Sequence, residues 1–177
     1  MGAPIPDRYA APARALHWLT AVLVIAMIPA GFVLLSLPAG PIQDTAFLLH
    51  RSTGVLLFAL TALRLAWRLS HPPPPLPASI PAAQRAVAHA VHVALYGLLF
   101  AMPLVGWWAT SAYGAPISVF GLFELPPLVA KDEALAERAF ALHGALGIAM
   151  AVLIAAHAGA ALQHHFVRRD GVLRRML

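Results

Sequence analysis

The stretch AFALHGALGIAMAVLIAAHAGAALQHHFV, residues Ala139–Val167, decides the fold of this chain. It contains no charged residue, and Arg138 and Arg168 flank it. About 20 apolar residues are enough for a helix to cross the hydrocarbon of a bilayer. The stretch also contains His143 and His157, and a histidine inside a membrane is costly unless a specific partner holds it. We therefore predict a membrane-spanning helix that carries functional imidazoles.

The spacing of His143 and His157 suggests what those imidazoles hold. Their separation along the chain corresponds to about 21 Å along a helix axis and to about 40° around it. One helix thus offers an imidazole near each side of the bilayer. This arrangement suits two haems stacked across the membrane.

The composition predicts an integral membrane protein. Of 177 residues, 60% are hydrophobic and 11% are charged, and the mean hydropathy is +0.77. A water-soluble domain of this size cannot bury so much apolar surface. The sequence contains no cysteine, which excludes disulfides, iron–sulfur clusters and haem held by thiolate or thioether bonds to cysteine. The nine histidines are the obvious ligands for a redox centre.

Four apolar segments predict an all-α membrane protein, a four-transmembrane-helix bundle that forms a single domain over residues 1–177. The predicted spans are Ala15–Leu37, Thr45–Leu69, Ala88–Thr110 and Ala139–Val167.

The net charge of +5 is explained by membrane topology rather than by nucleic-acid binding, because the cations are concentrated on one side. That side carries Arg8, Arg14, Arg64, Arg68, Arg85, Arg168, Arg169, Arg174 and Arg175. The opposite side carries only Arg51, Lys131 and Arg138. The positive-inside rule then places both termini in the cytoplasm.

Two connections between the predicted spans have a distinctive composition. The proline-rich linker His71–Gln84 is predicted to be stiff and extended on the cytoplasmic side. The outer loop, Ser111–Glu137, is long for a passive connection. We expect its apolar part, Pro116–Ala130, to lie on the membrane surface and to cover something.

Depth in the membrane predicts two histidine pairs, His17 with His157 and His50 with His143. Each pair can place an imidazole on either face of a haem iron, and an iron with two axial histidines favours electron transfer over oxygen binding. The residue four positions after each histidine is small, which leaves room for a macrocycle one turn away. These residues are Ala21, Gly54, Gly147 and Ala161. The alternative for each histidine is a hydrogen bond between helices, with the small residues serving helix packing.

The other histidines have weaker predictions. His89 and His92 compete for the inner haem as ligands, although propionate contact or an interfacial role is the first expectation for both. His164 can hydrogen-bond a quinone carbonyl or relay a proton, or it is simply solvated at the interface. His165 and His71 are expected to be exposed and without a role. A zinc or ion transporter would need acidic residues at mid-membrane, and the spans contain almost none.

These segments together resemble the bacterial cytochrome b561 family of small four-helix di-haem proteins of the inner membrane. The matching segments are RALHWLTAVLVI (Arg14–Ile25), LLHRSTGVLLFALTALRLAWRL (Leu48–Leu69), HAVHVALYGLLFAMPLVGW (His89–Trp107) and ALHGALGIAMAVLIAAHAGAALQHHF (Ala141–Phe166). The resemblance implies that His17 and His157 hold a cytoplasmic haem b, and that His50 and His143 hold a periplasmic one. It covers nearly the whole chain in order and spacing.

The resemblance also implies a function, oxidation of superoxide outside the membrane and reduction of ubiquinone within it. The first alternative is a cytochrome b subunit that relays electrons between a partner dehydrogenase and the quinone pool. The second alternative is a haem-free transporter or structural bundle. The expected partners are therefore the lipid bilayer, quinone, and either superoxide or a redox partner protein, but not nucleic acid.

Charged residues near the predicted haems bear on the electron donor and on cofactor binding. The outer side carries more acidic than basic groups, which does not favour capture of an anion, although Arg51 directly follows His50. At the cytoplasmic haem, cationic side chains can neutralise propionates and histidine can supply protons. The candidates chosen by proximity are Arg14, Arg64, Arg68 and His164.

Overall fold

The computed structural model describes residues 8–75, 77 and 79–177. Four long helices account for most of them: α1 (Ala11–Leu34), α2 (Pro41–Ser70), α3 (Ala82–Tyr113) and α4 (Glu133–Gln163). A π-helical turn, His164–Arg168, and a short 3₁₀ helix, Leu173–Arg175, follow α4. Within the predicted linker His71–Gln84 and the predicted single domain, Leu76, Ala78 and residues 1–7 lie outside the described residues.

All four helices are long and apolar enough to cross a membrane, the fourth when its π-helical turn is included. The prediction of a four-span membrane bundle is therefore confirmed. Helices α2 and α3 extend beyond the predicted spans on both sides, because interfacial residues continue the helical hydrogen bonding past the apolar run. Helix α1 is shifted instead, since it ends at Leu34 and not at the predicted Leu37. It begins at Ala11 rather than Ala15, and α4 begins at Glu133, before its predicted start.

Residues at the helix ends explain where the helices begin and stop. Pro41 occupies the first turn of α2, where its missing N–H costs nothing. The side chain of Asp132 accepts a hydrogen bond from the Leu135 N–H at 3.0 Å and caps the start of α4. Helix α3 ends at Tyr113 and is capped by Gly114, whose φ of 84° is in the left-handed region that glycine adopts readily.

The interior of the bundle is small and draws one residue from each helix. Val24, Leu57, Leu99 and Met150 form its buried apolar cluster. Many large apolar side chains are exposed, as Val22 on α1 is with 63% of its surface. This distribution suits a lipid environment, in which backbone groups need internal partners but apolar side chains need no burial.

The loop after α3 contains an antiparallel β-hairpin that sequence reasoning did not predict. Strands β1 (Ile117–Val119) and β2 (Phe123–Leu125) pair with Ile117 opposite Leu125. Gly121, with a φ of 73°, lies in the tight turn between them. The hairpin is attached to α2 through Ser52, whose hydroxyl contacts the Ser118 carbonyl oxygen at 3.2 Å and accepts from the Phe120 N–H at 2.8 Å.

The two ends of the bundle thus differ. The hairpin end carries β1–β2 together with the start of α2 and the start of α4. At the other end, called the tail end here, the backbone N–H of Tyr9 donates to the Arg175 carbonyl at 3.1 Å. The tail end therefore brings the start of α1 together with the residues that follow α4.

Candidate functional site

The tail end contains the first predicted histidine pair. His17 comes from α1 and His157 from α4, and their ring centroids lie 6.2 Å apart with an angle of 71° between the ring planes. Helices α1 and α4 are joined elsewhere by few contacts, so this approach of two imidazoles is a specific feature of the interface between the two helices.

The second pair lies toward the hairpin end and has nearly the same geometry. His50 comes from α2 and His143 from α4, with ring centroids 6.3 Å apart and ring planes at 72°. Two unrelated helices, α1 and α2, therefore each present one histidine to α4 at the same separation. The structure brings together both pairs that membrane depth predicts.

The separation within each pair fits a metal ion held between two imidazoles. Imidazole–metal bonds are about 2 Å long, so two rings on opposite sides of one ion have centroids about 6 Å apart. Direct hydrogen bonding between the rings is not observed in either pair among the described residues. The Nδ1 atom of His50 is buried and has no hydrogen-bond partner in the described part of the chain. Buried polar atoms of this kind call for an explanation.

The surroundings of the two histidine pairs favour a metal ion whose other ligands come from a macrocycle. No group of three or more histidine, cysteine, aspartate or glutamate side chains within residues 8–75, 77 and 79–177 could hold a metal ion by itself. A Cβ atom added at Gly54, one turn after His50, would meet nothing within 4 Å, and one at Gly147 would meet only the Met102 methyl at 3.7 Å. Room for a flat ring system therefore lies beside two of the predicted ligands.

Two further glycines, which sequence reasoning missed, set the position of the hairpin-end pair. A Cβ atom at Gly106 of α3 would lie 3.2 Å from Cε1 of His143, and one at Gly31 of α1 would lie 3.3 Å from Cε1 of His50. Each imidazole rests directly on the backbone of a helix other than its own. Only the folded arrangement of the helices reveals this, because neither glycine is near its histidine in sequence.

A third imidazole lies at the tail end. His92 of α3 approaches His157 with ring centroids 5.2 Å apart and ring planes at 68°. That separation is typical of an edge-to-face ring contact and is about 1 Å shorter than expected for two rings on opposite sides of a metal ion. The separation of His17 from His157 therefore fits a shared metal ion better than that of His92 does.

His92 and its neighbours also line a cavity of about 250 Å³ between α2 and α3. Its polar lining residues are Arg68, His89, His92 and Tyr96, and its apolar ones are Leu65 and Val93. The cavity thus combines cationic and hydrogen-bonding groups with an apolar wall, directly beside the tail-end pair.

Arg64 contacts the tail-end pair itself. Its guanidinium donates a hydrogen bond to Nδ1 of His17 at 2.9 Å, and it lies 5.2 Å from the centre of the Tyr96 ring. A guanidinium has only donors, so Nδ1 of His17 is the acceptor in this contact. Of the three arginines predicted from proximity, Arg64 therefore contacts His17 directly, and Arg68 lines the adjoining cavity together with His92.

Arg51 has partners that the sequence did not predict. Its Nη1 donates to the Pro116 carbonyl at 2.8 Å and its Nε to the Phe47 carbonyl at 3.2 Å. Its guanidinium also lies 5.6 Å from the centre of the Phe47 ring. Arg51 remains a cation next to His50, but several of its donors fasten the hairpin to α2. It is a structural contact as much as a candidate for cofactor binding.

His164 forms a short hydrogen bond beyond the end of α4. Its Nδ1 lies 2.5 Å from Oδ2 of Asp170, and Asp170 also accepts from the Val172 N–H at 3.2 Å. Partial burial raises the pKa of Asp170, but the hydrogen bonds from His164 and Val172 outweigh it and hold that pKa below its usual value. His164 does not line the cavity beside His92, and its contact with quinone stays a prediction.

The remaining predicted residues are peripheral. His71 stacks on Trp67 with ring centroids 4.0 Å apart. Arg14 donates to the carbonyl of Leu177 rather than to any group of the histidine pairs. Thus the structure places Arg64 and Arg68 beside the tail-end pair and places Arg14 and His164 in contacts with the C-terminal segment.

Comparison with known proteins gives a consistent result over the whole chain. The family model described as "Prokaryotic cytochrome b561" matches residues 8–177. "Cytochrome b561 homolog 2" of Escherichia coli K12 is 41% identical over 174 residues, which cover 97% of this chain and 92% of the relative. "Cytochrome b561 homolog 1" of the same organism is 32% identical, covering 92% of each chain. "Probable superoxide oxidase CybB" of Yersinia pestis is 30% identical, covering 92% of this chain and 91% of the relative.

Proposed function

Because the chain belongs to the prokaryotic cytochrome b561 family, whose members bind haem b and transfer electrons in the membrane, we propose that it holds two haems b and oxidises superoxide to reduce ubiquinone. The observation that carries the proposal is the pair of matching imidazole separations, 6.2 Å and 6.3 Å, at the two ends of one helix.

Each haem has its own ligands in this proposal. His17 and His157 hold the tail-end haem, and His50 and His143 hold the hairpin-end haem. When bound, haem b would supply a one-electron iron couple, with two histidines holding each haem. The imidazoles therefore orient the cofactor and tune it rather than create a site for oxygen.

The arginines beside His17 supply the charge that haem propionates require. Arg64 is within hydrogen-bonding distance of the pair, and Arg68 lines the neighbouring cavity. Cationic donors form strong, charge-assisted hydrogen bonds to carboxylates. Arg64 carries the stronger case because its guanidinium lies 2.9 Å from Nδ1 of His17. With iron on Nε2, Nδ1 would carry the ring proton, and the guanidinium would then be free to pair with a propionate.

The orientation follows from the distribution of arginines. The tail end carries most of them, and the positive-inside rule then places it in the cytoplasm of a bacterial inner membrane. The hairpin end accordingly faces the periplasm, where a superoxide donor would be met. Both termini are cytoplasmic in this orientation.

A second function has a specific observation in its favour, the relay of electrons from a partner dehydrogenase. The β-hairpin exposes large apolar side chains away from α2, with Leu122 80% exposed and Phe123 54% exposed. Acidic side chains predominate around it, and Lys131 pairs with Glu133 at 3.4 Å. Such a surface suits a protein partner better than it attracts a small anion.

Superoxide-dependent reduction of ubiquinone distinguishes the two functions. The purified holoprotein, reconstituted in liposomes that contain ubiquinone, is exposed to enzymatically generated superoxide, and quinone reduction is followed by absorbance. We expect reduction that superoxide dismutase abolishes and that protein-free liposomes lack. Reduction that occurs only after addition of a dehydrogenase would favour the relay function, and a purified, folded protein without haem would contradict both.

A substitution at Gly106 tests the ligand role of His143 without altering a histidine. In G106V, the added side chain begins 3.2 Å from the His143 imidazole, so the ring must shift and we expect the haem content to fall from two per chain toward one. The matched control is G97V on the same helix, where a Cβ meets nothing within 4 Å. Haem and protein are quantified in both variants; equal haem content in G106V and the wild type would contradict the prediction.

A further inference from the structure

The segment that follows α4 folds into a defined turn. After the π-helical turn His164–Arg168, the chain reverses through Arg169 and Gly171, which have φ values of 55° and 80°. Asp170 lies between them, and its side chain holds both His164 and the Val172 N–H. A single carboxylate thereby fastens the end of the helix to the residues after it.

The same segment is tied to the start of α1. The indole N–H of Trp18 donates to the Met176 carbonyl at 2.7 Å, and the Tyr9 N–H donates to the Arg175 carbonyl at 3.1 Å. Arg14 adds a contact to the Leu177 carbonyl. The residues after α4 thus form part of the folded tail end, so the cavity they enclose is preformed.

That cavity has a volume of about 290 Å³ and a cationic lining. His165, Phe166, Arg169, Gly171 and Arg174 surround it. Among the residues that the structure describes, no carboxylate lies within ion-pair distance of Arg169 or Arg174. Asp170, the acidic residue nearest in sequence, is held by His164 instead. Nε of Arg169 donates to the Phe166 carbonyl at 3.4 Å, which leaves its two terminal nitrogens, together with the Arg174 guanidinium, available to an external anion.

Apolar side chains adjoin this cationic cavity on the side of the membrane. Leu162, Phe166 and Val167 belong to the last turns of the fourth span, and 50%, 66% and 74% of their surfaces are exposed. A soluble phosphate ion has no apolar part that could pack against these side chains. A phospholipid has one, because its acyl chains lie along the helix while its headgroup lies at the helix end.

We propose that this cavity binds the phosphate of an anionic phospholipid, with Arg169 and Arg174 as its cationic donors. Basic pockets at the cytoplasmic ends of membrane helices suit such headgroups, and arginine pairs well with phosphate oxygens. Binding there stabilises the tail against α1, since the tail that carries both arginines also carries the carbonyl that accepts from Trp18.

Lipid binding to the detergent-solubilised holoprotein tests the proposal. Native mass spectrometry and thermal unfolding are measured with added phosphatidylglycerol and, separately, with phosphatidylcholine. We expect phosphatidylglycerol to stay bound and to raise Tm, as any ligand specific for the folded state does. The variant R169N/R174Q should bind it at least about tenfold more weakly, given roughly 1 kcal/mol for each basic residue at an anionic membrane surface. Asparagine is chosen at position 169 because it tolerates a positive φ.

Two controls keep the result specific. R8Q/R85Q removes the same charge from the tail end outside the cavity and should bind phosphatidylglycerol as the wild type does. R169K/R174K keeps the charge and should retain most of the binding, which separates loss of charge from loss of folding. Equal binding by R169N/R174Q and R8Q/R85Q would overturn the proposal. So would inorganic phosphate that raises Tm as much as the lipid does, because the site would then select a free anion.

Discussion

Replacing His157 with alanine is expected to remove one of two haems and to leave the other in place. His157 is the α4 member of the tail-end pair, and a haem deprived of one axial histidine loses a metal bond that no neighbour at the right separation replaces. The hairpin-end pair uses His50 and His143 and should be unaffected. Haem per polypeptide, with the reduced absorption spectrum, is the measurement; we expect about one low-spin b-type haem per chain in H157A and in H17A.

The nearby His92 provides the matched control for this experiment. Its ring is 5.2 Å from that of His157, closer than the ring of His17, so it is the natural competitor for the same iron. If edge-to-face contact is its role, H92A keeps two haems. The opposite outcome, in which H92A loses a haem and H17A retains both, would assign the tail-end iron to His92 and His157.

Replacing His50 with alanine is expected to abolish electron entry from the hairpin end. The substitution removes a ligand from the pair nearest to that end, so the reduction of ubiquinone by superoxide should fall by at least about 100-fold. This exceeds the 10- to 100-fold effect of losing a contact that only supports a metal ligand. The measurement is the superoxide-dependent rate in proteoliposomes, together with haem content, which should again be about one per chain.

A neighbouring substitution controls for damage to the helix. Leu49 precedes His50 in α2, and 52% of its surface is exposed, so L49A alters the same turn without touching the pair. We expect L49A to keep both haems and most of the rate. A normal rate in H50A would show that electrons enter by another route and would contradict the assignment of this pair to the donor side.

The membrane spans were predictable because their signal is local. A bilayer forces every spanning segment to satisfy its own backbone hydrogen bonds and to present apolar side chains. Runs such as Ala139–Val167 therefore mark a helix wherever they occur. The helix ends were less predictable, as at Glu133, because capping by Asp132 extends α4 into the polar boundary.

The approach of His17 to His157, and of His50 to His143, was also predictable, for a reason specific to membranes. Spans that alternate in direction place each residue at a depth that can be counted along the sequence, so histidines at equal depth are candidates for contact. Depth alone does not show which of two histidines at the same level of the membrane faces a given third histidine. His92 is close to the depth of His17, and only the packing of α3 against α4 shows that its ring lies 5.2 Å from His157.

The sequence by itself therefore determined the four spans and the depth of each histidine, since hydropathy and helical rise are properties of a single segment. The tertiary structure decided how neighbouring segments meet. Gly106 supports His143, Ser52 holds the hairpin, and Asp170 pairs with His164 across a π-helical turn. Each of these contacts depends on the angle between helices or on a non-helical turn, and neither leaves a periodic signal in the sequence.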